Sequence, residues 1–412
     1  MCTVIPFRAV RPVEKFAKDV ASYPYDIIDS QEARALAADN PWSFLHVVKS
    51  EIDLPEDTDL YDDSVYEKAK QNYRRLLREG ILVQDDKPCF YIYCQRMGGH
   101  EQFGIVGCAA INDYETGCIK KHELTRADKE IDRTKHIDRV NAQTGPVFLT
   151  YRKRQSIDDI VASVVAGPPE YDFTADDGIS HAVWVIADAD MIGSIRNEFQ
   201  KVETIYIADG HHRAASAAEV AKKRRLTNPA DETAEYNYVL SVIFPHDHLN
   251  VLDYNRVVRD LNGLRVEEFL GRLGEDFSIV EDFSGKSPGK AHGFGMYLDG
   301  RWYGLTAKDH VVSGHDVIDA LDVSILQRRI LTPLLGISDP RTDNRIIFVG
   351  GIRGMTELER LVDSRAWAVA FSLYPTTVEE LMNVADRSMM MPPKSTWFEP
   401  KLRSGLFSHL LE

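Results

Sequence analysis

The sequence predicts an α/β (α+β) protein, and three observations carry that expectation. Short apolar, β-branched runs such as "PVFLTY", "HAVWVIAD" and "YNYVLSVIFP" recur along the chain, separated by segments with helical spacing. One junction, "TIYIADGHHRAASAAEVAKKRR" at residues 204–225, passes from strand to helix within two residues, because Asp209 and Gly210 break the apolar run. Composition agrees: 412 residues with 44% hydrophobic and 27% charged side chains suit a globular chain with a large core, and the length favours two or three domains.

Taken in order, "TVIPFRAVRP" predicts an edge strand and "SFLHVV" another, while "SVYEKAKQNYRRLLREG" has an amphipathic helical pattern stopped at Gly80. "CFYIYCQRM" and "GIVGCAAI" read as two strands of a hairpin joined by "GGHEQF". The stretch from Tyr114 to Arg139 is polar and has no strong apolar face. "PVFLTY", a helix after Ser156, "HAVWVIAD" and a helix after Asp190 lead into the 204–225 junction. Beyond it come the buried strand "YNYVLSVIFP", the helix "VEEFLGRL", the hairpin "FGMYLDGRWYGL" turning at Asp299-Gly300, and the strand "RIIFVGG". "LTNPADETAEYN" is the best surface loop, and a domain boundary is expected just after it, giving regions 1–240 and 241–412.

Charge and cysteine usage narrow the function classes. Sixty-four acidic against 49 basic residues leave a net charge of −15, which repels polyanions and argues against a nucleic-acid partner. Five cysteines, odd in number and without CxxC spacing, fit reduced thiols. No stretch approaches the roughly 20 apolar residues of a membrane span, and the N-terminal segment lacks a targeting pattern, so a cytoplasmic protein without a membrane partner is expected. Oligomeric state is left open.

The 204–225 junction asks for an anion. The free N–H groups of a helix's first turn make a positive end, and two histidines with an arginine there oppose the helix dipole by about 0.3–1 kcal/mol each unless an anion compensates. Metal binding by the adjacent pair His211 and His212 is disfavoured, because neighbouring helical positions project about 100° apart, unlike the i, i+4 pair that converges on zinc. His246 and His248 in "FPHDHL" have same-face strand spacing but lack a clear third ligand.

"ADGHHR" resembles the phosphate-binding turn of the ParB/sulfiredoxin-like nucleotide-binding fold. The resemblance extends to a bacterial family long described as of unknown function and linked to free-serine kinases. It is carried by "PYDII", "NPWSFLHV", "IKKHELT", "DGISHAVW", "ADGHHRAA", "LDYNRVV", "RIIFVGGIRG" and "MPPKSTWFEPKLRSGLF". It implies a ParB/sulfiredoxin-like core in residues 1–240, elaborated by a second α/β region in 241–412 whose C-terminal loop returns to the site. It also implies transfer of a phosphoryl group to the hydroxyl of free L-serine, with ADP, ATP or pyrophosphate as donor and Mg²⁺ as the expected cofactor. No Walker loop or protein-kinase motif set is present to argue for ATP.

Phosphoryl transfer needs positive groups around the moving phosphate and a carboxylate near the attacking hydroxyl. Asp209, Gly210, His211, His212 and Arg213 are the expected cradle, with Arg213 forking two phosphate oxygens. Arg213→Ala is expected to cost activity but to leave stability unchanged or slightly raised, since it removes charge from a helix N-terminus. Asp209 and His212 are candidates for the catalytic set. Of two candidate bases, Glu51 ranks before Asp26 because it follows the strand expected at "SFLHVV". Lys120, His122, Glu123 and Arg126 form a second charged constellation. There, His122 and Glu123 would meet donor phosphates through a metal or act on the leaving group, and Arg126 would bind phosphate. Metal ligands are otherwise unassigned. Lys394 in the C-terminal "PPKSTW" segment is a further phosphate candidate, with Ser395, Thr396 and Lys401 as additional donors.

Two other classes compete. Sulfiredoxin-type repair needs a reactive cysteine where this chain has His211. A noncatalytic nucleotide-binding regulatory protein of the ParB-like class is the alternative that binding without turnover would identify.

Overall fold

Phe90–Met97 and His100–Ala110 form a hairpin across Gly98 and Gly99, and this hairpin lies inside a nine-stranded sheet. The strand order is Ile119–Lys120, Ile205–Asp209, Val147–Tyr151, Tyr238–Pro245, His100–Ala110, Phe90–Met97, Ser180–Ile186 and Tyr171–Thr174, with Val4–Ile5 added beside His100–Ala110. Two pairings are parallel, Ile119–Lys120 with Ile205–Asp209 and Val147–Tyr151 with Tyr238–Pro245; the others are antiparallel, so the sheet is mixed. The computed structural model describes residues 1–227, 231, 233–312 and 316–412. By its contacts the chain separates into Met1–Leu249 together with Pro400–Glu412, and Asn250–Glu399.

In the first unit, Ile92, Ile105, Leu149, Ile207 and Ile243 from neighbouring strands are buried with Ala214, Ala217, Val220 and Ala221 of the helix His211–Thr227. The helical residues recur at three- and four-residue spacing, so one stripe faces the sheet, and small alanines let it lie close. Each fully buried isoleucine contributes about 1.5–3 kcal/mol by removal from water. A second cluster joins Val20, Phe44, Leu45, Val47, Tyr73 and Leu76 under the helix Asp63–Arg78.

The second unit is a six-stranded antiparallel sheet in the order Phe277–Glu281, Arg301–Ala307, Gly293–Leu298, Val369–Leu373, Tyr254–Val258 and Ile346–Gly350. Asp299 and Gly300 take φ of 47° and 76°, the positive pair that a two-residue hairpin turn requires. Asn250–Leu252 pairs antiparallel with Trp397–Glu399, so the unit's first and last residues are neighbours.

Two expected strands are corrected. "SFLHVV" is helical at Leu45–Val48 and continues into a 3₁₀ turn at Ser50–Asp53. A six-residue apolar run does not distinguish strand from buried helix, and Ser43 favours the helix by accepting the Leu45 N–H at 3.3 Å. "TVIPFRAVRP" divides into Val4–Ile5 and Val10–Pro12, which pair in different sheets on either side of Pro6. The loop expected at 226–237 falls in part on residues 228–230 and 232, which lie outside the described residues. Among the described residues no helix is long and apolar enough to cross a membrane.

Candidate functional site

The strand Ile205–Asp209 ends at Gly210, whose φ of 91° is a conformation that side chains avoid, and the helix begins at His211. The first intrahelical bond runs from the Ala214 N–H to the Gly210 carbonyl at 3.0 Å, which leaves the N–H groups of His211, His212 and Arg213 without an intrahelical acceptor. That is the local geometry of an anion cradle.

Parallel pairing of Ile119 with Ile205 and Lys120 with Tyr206 delivers residues 121–126 to this helix start. The backbone N–H of His122 donates to His211 Nε2 at 3.4 Å, and that of Arg126 donates to His212 Nε2 at 3.1 Å. The His122 and His211 rings meet edge to face with centroids 4.4 Å apart, and His211 Nδ1 is 3.8 Å from Glu123 Oε2. Two constellations separated by some 90 positions in sequence therefore form one cluster. Lys120 is half-buried on the short strand. Arg126 contributes its backbone, while its exposed guanidinium pairs with Asp128 at 2.9 Å.

The histidines are not the source of positive charge. Burial pushes His122 down to about 4 and holds His211 well below the ordinary imidazole range, with His122 adding to the effect. His212 is lowered by burial as well, against the pull of Asp26 and Glu130. The conflict with the helix dipole expected from charged histidines does not arise, and the cradle's fixed charge is that of Arg213. Its guanidinium is buried, donates to the Pro146 carbonyl and lies 3.7 Å from Asp26 Oδ2. It folds back over Gly210, where an added Cβ would stand 3.0 Å from its Cζ. Behind it is a cavity of about 30 Å³ lined by Tyr25, Arg133, His136, Thr144, Arg213 and Ser404 among others.

Asp209 accepts the Gly210 N–H on Oδ1 at 2.8 Å and an ammonium hydrogen of Lys401 on Oδ2 at 3.1 Å. Burial acts to raise its carboxyl, but Lys401 and Arg213 overcome this and hold it far below the usual carboxylate range. Lys401 is thus a C-terminal lysine beside the cradle strand. Lys394 belongs to the second unit, where its carbonyl accepts from Arg256 at 2.9 Å and its ammonium sits 5.8 Å from the Tyr254 ring centroid.

Of the two early acids, Asp26 stands beside Arg213. Glu51 is buried, accepts the Ser30 hydroxyl at 2.7 Å and pairs with Lys49 at 3.0 Å. The strand that ranked it first is a helix, so that argument falls. Sequence reasoning also missed a buried relay in which Tyr93 shares a 2.8 Å hydrogen bond with His181 Nδ1, Arg403 donates to His181 Nε2 at 3.3 Å, and Arg403 pairs with Asp177. It joins the quoted motifs "DGISHAVW" and "KLRSGLF". His246 and His248 share one 3₁₀ turn, and His246 Nδ1 accepts the Lys153 N–H at 3.2 Å.

Mg²⁺ takes oxygen ligands in near-octahedral geometry. The donors gathered at the helix start are the imidazoles of His122 and His211 and the carboxylate of Glu123, while Asp209 is engaged by Lys401. That set does not fit magnesium.

Fold and site together define a mixed α/β protein with a strand-to-helix turn whose first three helical N–H groups lack intrahelical acceptors. The chain belongs to the family described as "Protein of unknown function (DUF1015)", which it matches over residues 4–324. No curated protein matches it. Among solved structures it is similar to a mutant free serine kinase in complex with AMP, at 13% identity and TM-score 0.36, covering 73% of this chain and 92% of that one. It is also similar to a conserved hypothetical protein from Pyrococcus furiosus, at 13% identity and TM-score 0.34, covering 74% and 95%. A third is C-terminally truncated SbnI from Staphylococcus aureus, at 10% identity and TM-score 0.39, covering 74% and 87%.

Proposed function

We propose that this protein is a small-molecule phosphotransferase with a ParB/sulfiredoxin-like core, and that it phosphorylates the hydroxyl of free L-serine to give O-phospho-L-serine. The donor is ADP, ATP or pyrophosphate. The observation that carries the reading is the arrangement at Gly210–Arg213: three backbone N–H groups without intrahelical acceptors stand next to a buried arginine, with a carboxylate 3.7 Å from that arginine.

In this reading the N–H groups and Arg213 hold the transferring phosphate, and positioning with fixed charge supplies most of the rate. Asp26 replaces Glu51 as the group that orients the acceptor hydroxyl, because it is the acid beside the cradle and is exposed to an incoming substrate. His212 keeps a neutral ring whose Nε2 already accepts a hydrogen bond, so its Nδ1–H is the atom left to donate.

Incubation of purified protein with L-serine, a divalent cation and each of ADP, ATP and pyrophosphate, followed by mass spectrometry for O-phosphoserine, tests the reading. Product with one donor, reduced about 10²–10⁴-fold in Asp26→Asn, is the expected result; absence of product with every donor overturns it. A noncatalytic nucleotide-binding role is the second reading, favoured by the engagement of Glu51 with Ser30 and Lys49. It predicts nucleotide-induced stabilisation without turnover.

A further inference from the structure

We infer that His122, Glu123 and His211 form a binding site for one divalent transition-metal ion of the zinc, cobalt or manganese class. One donor atom from each residue lies within 4.8 Å of the other two. The distance from His211 Nδ1 to Glu123 Oε2, 3.8 Å, is too long for a hydrogen bond. It is close to the separation of about 3.3 Å between two atoms bound to one ion at about 2.0–2.2 Å. A second, independent observation comes from His122 itself. The residue is 2% exposed, and its Nδ1 is buried without a hydrogen-bond partner. Buried polar atoms are nearly always paired, and an absent ion is among the few reasons for an exception.

The surroundings suit a metal site. Parallel pairing of Ile119–Lys120 with the cradle strand sets the two imidazoles edge to face, centroids 4.4 Å apart, before any ion arrives. An ion on His211 Nδ1 requires the ring proton on Nε2, so the long 3.4 Å contact from the His122 N–H is given up on binding. Glu123, with 44% of its side chain exposed, provides the movable ligand and the path of entry. Rotation of its side chain closes the remaining gap. Two imidazole nitrogens and one carboxylate select borderline ions over magnesium, and three protein ligands leave a coordination position for an anion or water. The objection that adjacent histidines diverge on a helix holds for His211 and His212. Here the second imidazole is supplied by His122, from another element.

The site stands apart from the phosphotransfer reading, because occupancy is measured without turnover. Untagged full-length protein is stripped with chelator, dialysed against micromolar Zn²⁺, Co²⁺, Mn²⁺ or Mg²⁺, and assayed by elemental analysis, with the visible spectrum recorded for Co²⁺. One equivalent of Zn²⁺ or Co²⁺ per chain is expected, with imidazole-type cobalt bands and far weaker retention of Mg²⁺. Glu123→Gln should weaken binding by at least about tenfold with an unchanged melting temperature in the metal-free state. His122→Gln should abolish the bands. If His122→Gln does not fold, Glu123→Gln alone decides. Wild-type protein that retains no ion, binds Mg²⁺ as tightly as Zn²⁺, or binds no better than Glu123→Gln overturns the inference.

Discussion

Arg213 is buried, donates to the Pro146 carbonyl and faces Asp26, so its removal strands a carbonyl and a carboxylate as well as the ligand. The neutral or slightly positive effect on stability that a bare helix N-terminus implies is therefore replaced by a cost. Arg213→Ala is expected to lose about 1.5–3 kcal/mol, the range of hydrogen bonds to charged groups, in urea denaturation. Arg213→Lys keeps the charge but not the fork, and should lose most of the stabilisation that added pyrophosphate gives the wild type. His136 provides a pH prediction. Its buried Nε2 lies 3.0 Å from the Val47 carbonyl, and burial lowers its pKa from 6.5 to about 4. The unfolded chain takes up this proton below 6.5 and the folded chain declines it until about 4, so stability is lost as pH falls through that window. Between pH 7 and 5 this amounts to about 2 kcal/mol, which His136→Gln should largely abolish in paired denaturation curves.

At the scale of elements, Gly210 is where the strand becomes a helix, and a side chain there meets both a positive φ and the Arg213 guanidinium. Gly210→Ala should cost about 1–2 kcal/mol and weaken phosphate-induced stabilisation. Gly193 makes the control: it lies inside the helix Ala189–Phe199 with nothing within 4 Å of an added Cβ, and Gly193→Ala should stabilise by about 0.4–1 kcal/mol. Thermal denaturation of the two variants should move in opposite directions. This junction was legible in the sequence because its signals are local: an apolar β-branched run, a breaker, then an alanine-rich helical pattern. The constellation Lys120–Arg126 was legible as chemistry, but its pairing with His211 and His212 depends on a two-residue parallel strand that no periodicity reveals. Lys401 was legible as one donor of a returning C-terminal segment, but its partner was not, and Arg403 was hidden altogether. They approach Asp209 and His181 from about 190 and 220 positions away, and a proline-interrupted segment gives no sign of where it packs. "SFLHVV" failed because four helical residues are too few to show a period.

For the molecule as a whole, residues 250–399 interrupt a first unit that resumes at Pro400, and the interruption begins and ends on paired strands. Neighbouring ends are the geometry that tolerates excision. Replacing Asn250–Glu399 by a short glycine-serine linker should leave a cooperative unfolding transition for the remainder. Deleting Pro400–Glu412 should not. That segment buries Leu402, Leu406, Phe407 and Leu411, pairs His409–Leu410 with Ala142–Gln143, and supplies Lys401 and Arg403. Four such apolar side chains at about 1.5–3 kcal/mol each approach the 5–15 kcal/mol by which domains are stable. Loss of the sigmoidal transition in circular dichroism would be the sign.

The bond between Lys401 and Asp209 joins residues 192 positions apart, and this has a consequence during synthesis. At about 5–20 residues per second, about 10–40 s separate the emergence of the aspartate from that of the lysine that neutralises it. Over that interval the nascent cradle strand carries an acid without its lysine, and Ala142–Gln143 lacks its partner strand. A premature stop within codons 400–412 would therefore release a polypeptide that holds every strand of the large sheet yet is unable to finish its first-made half, a substrate for chaperones and proteases.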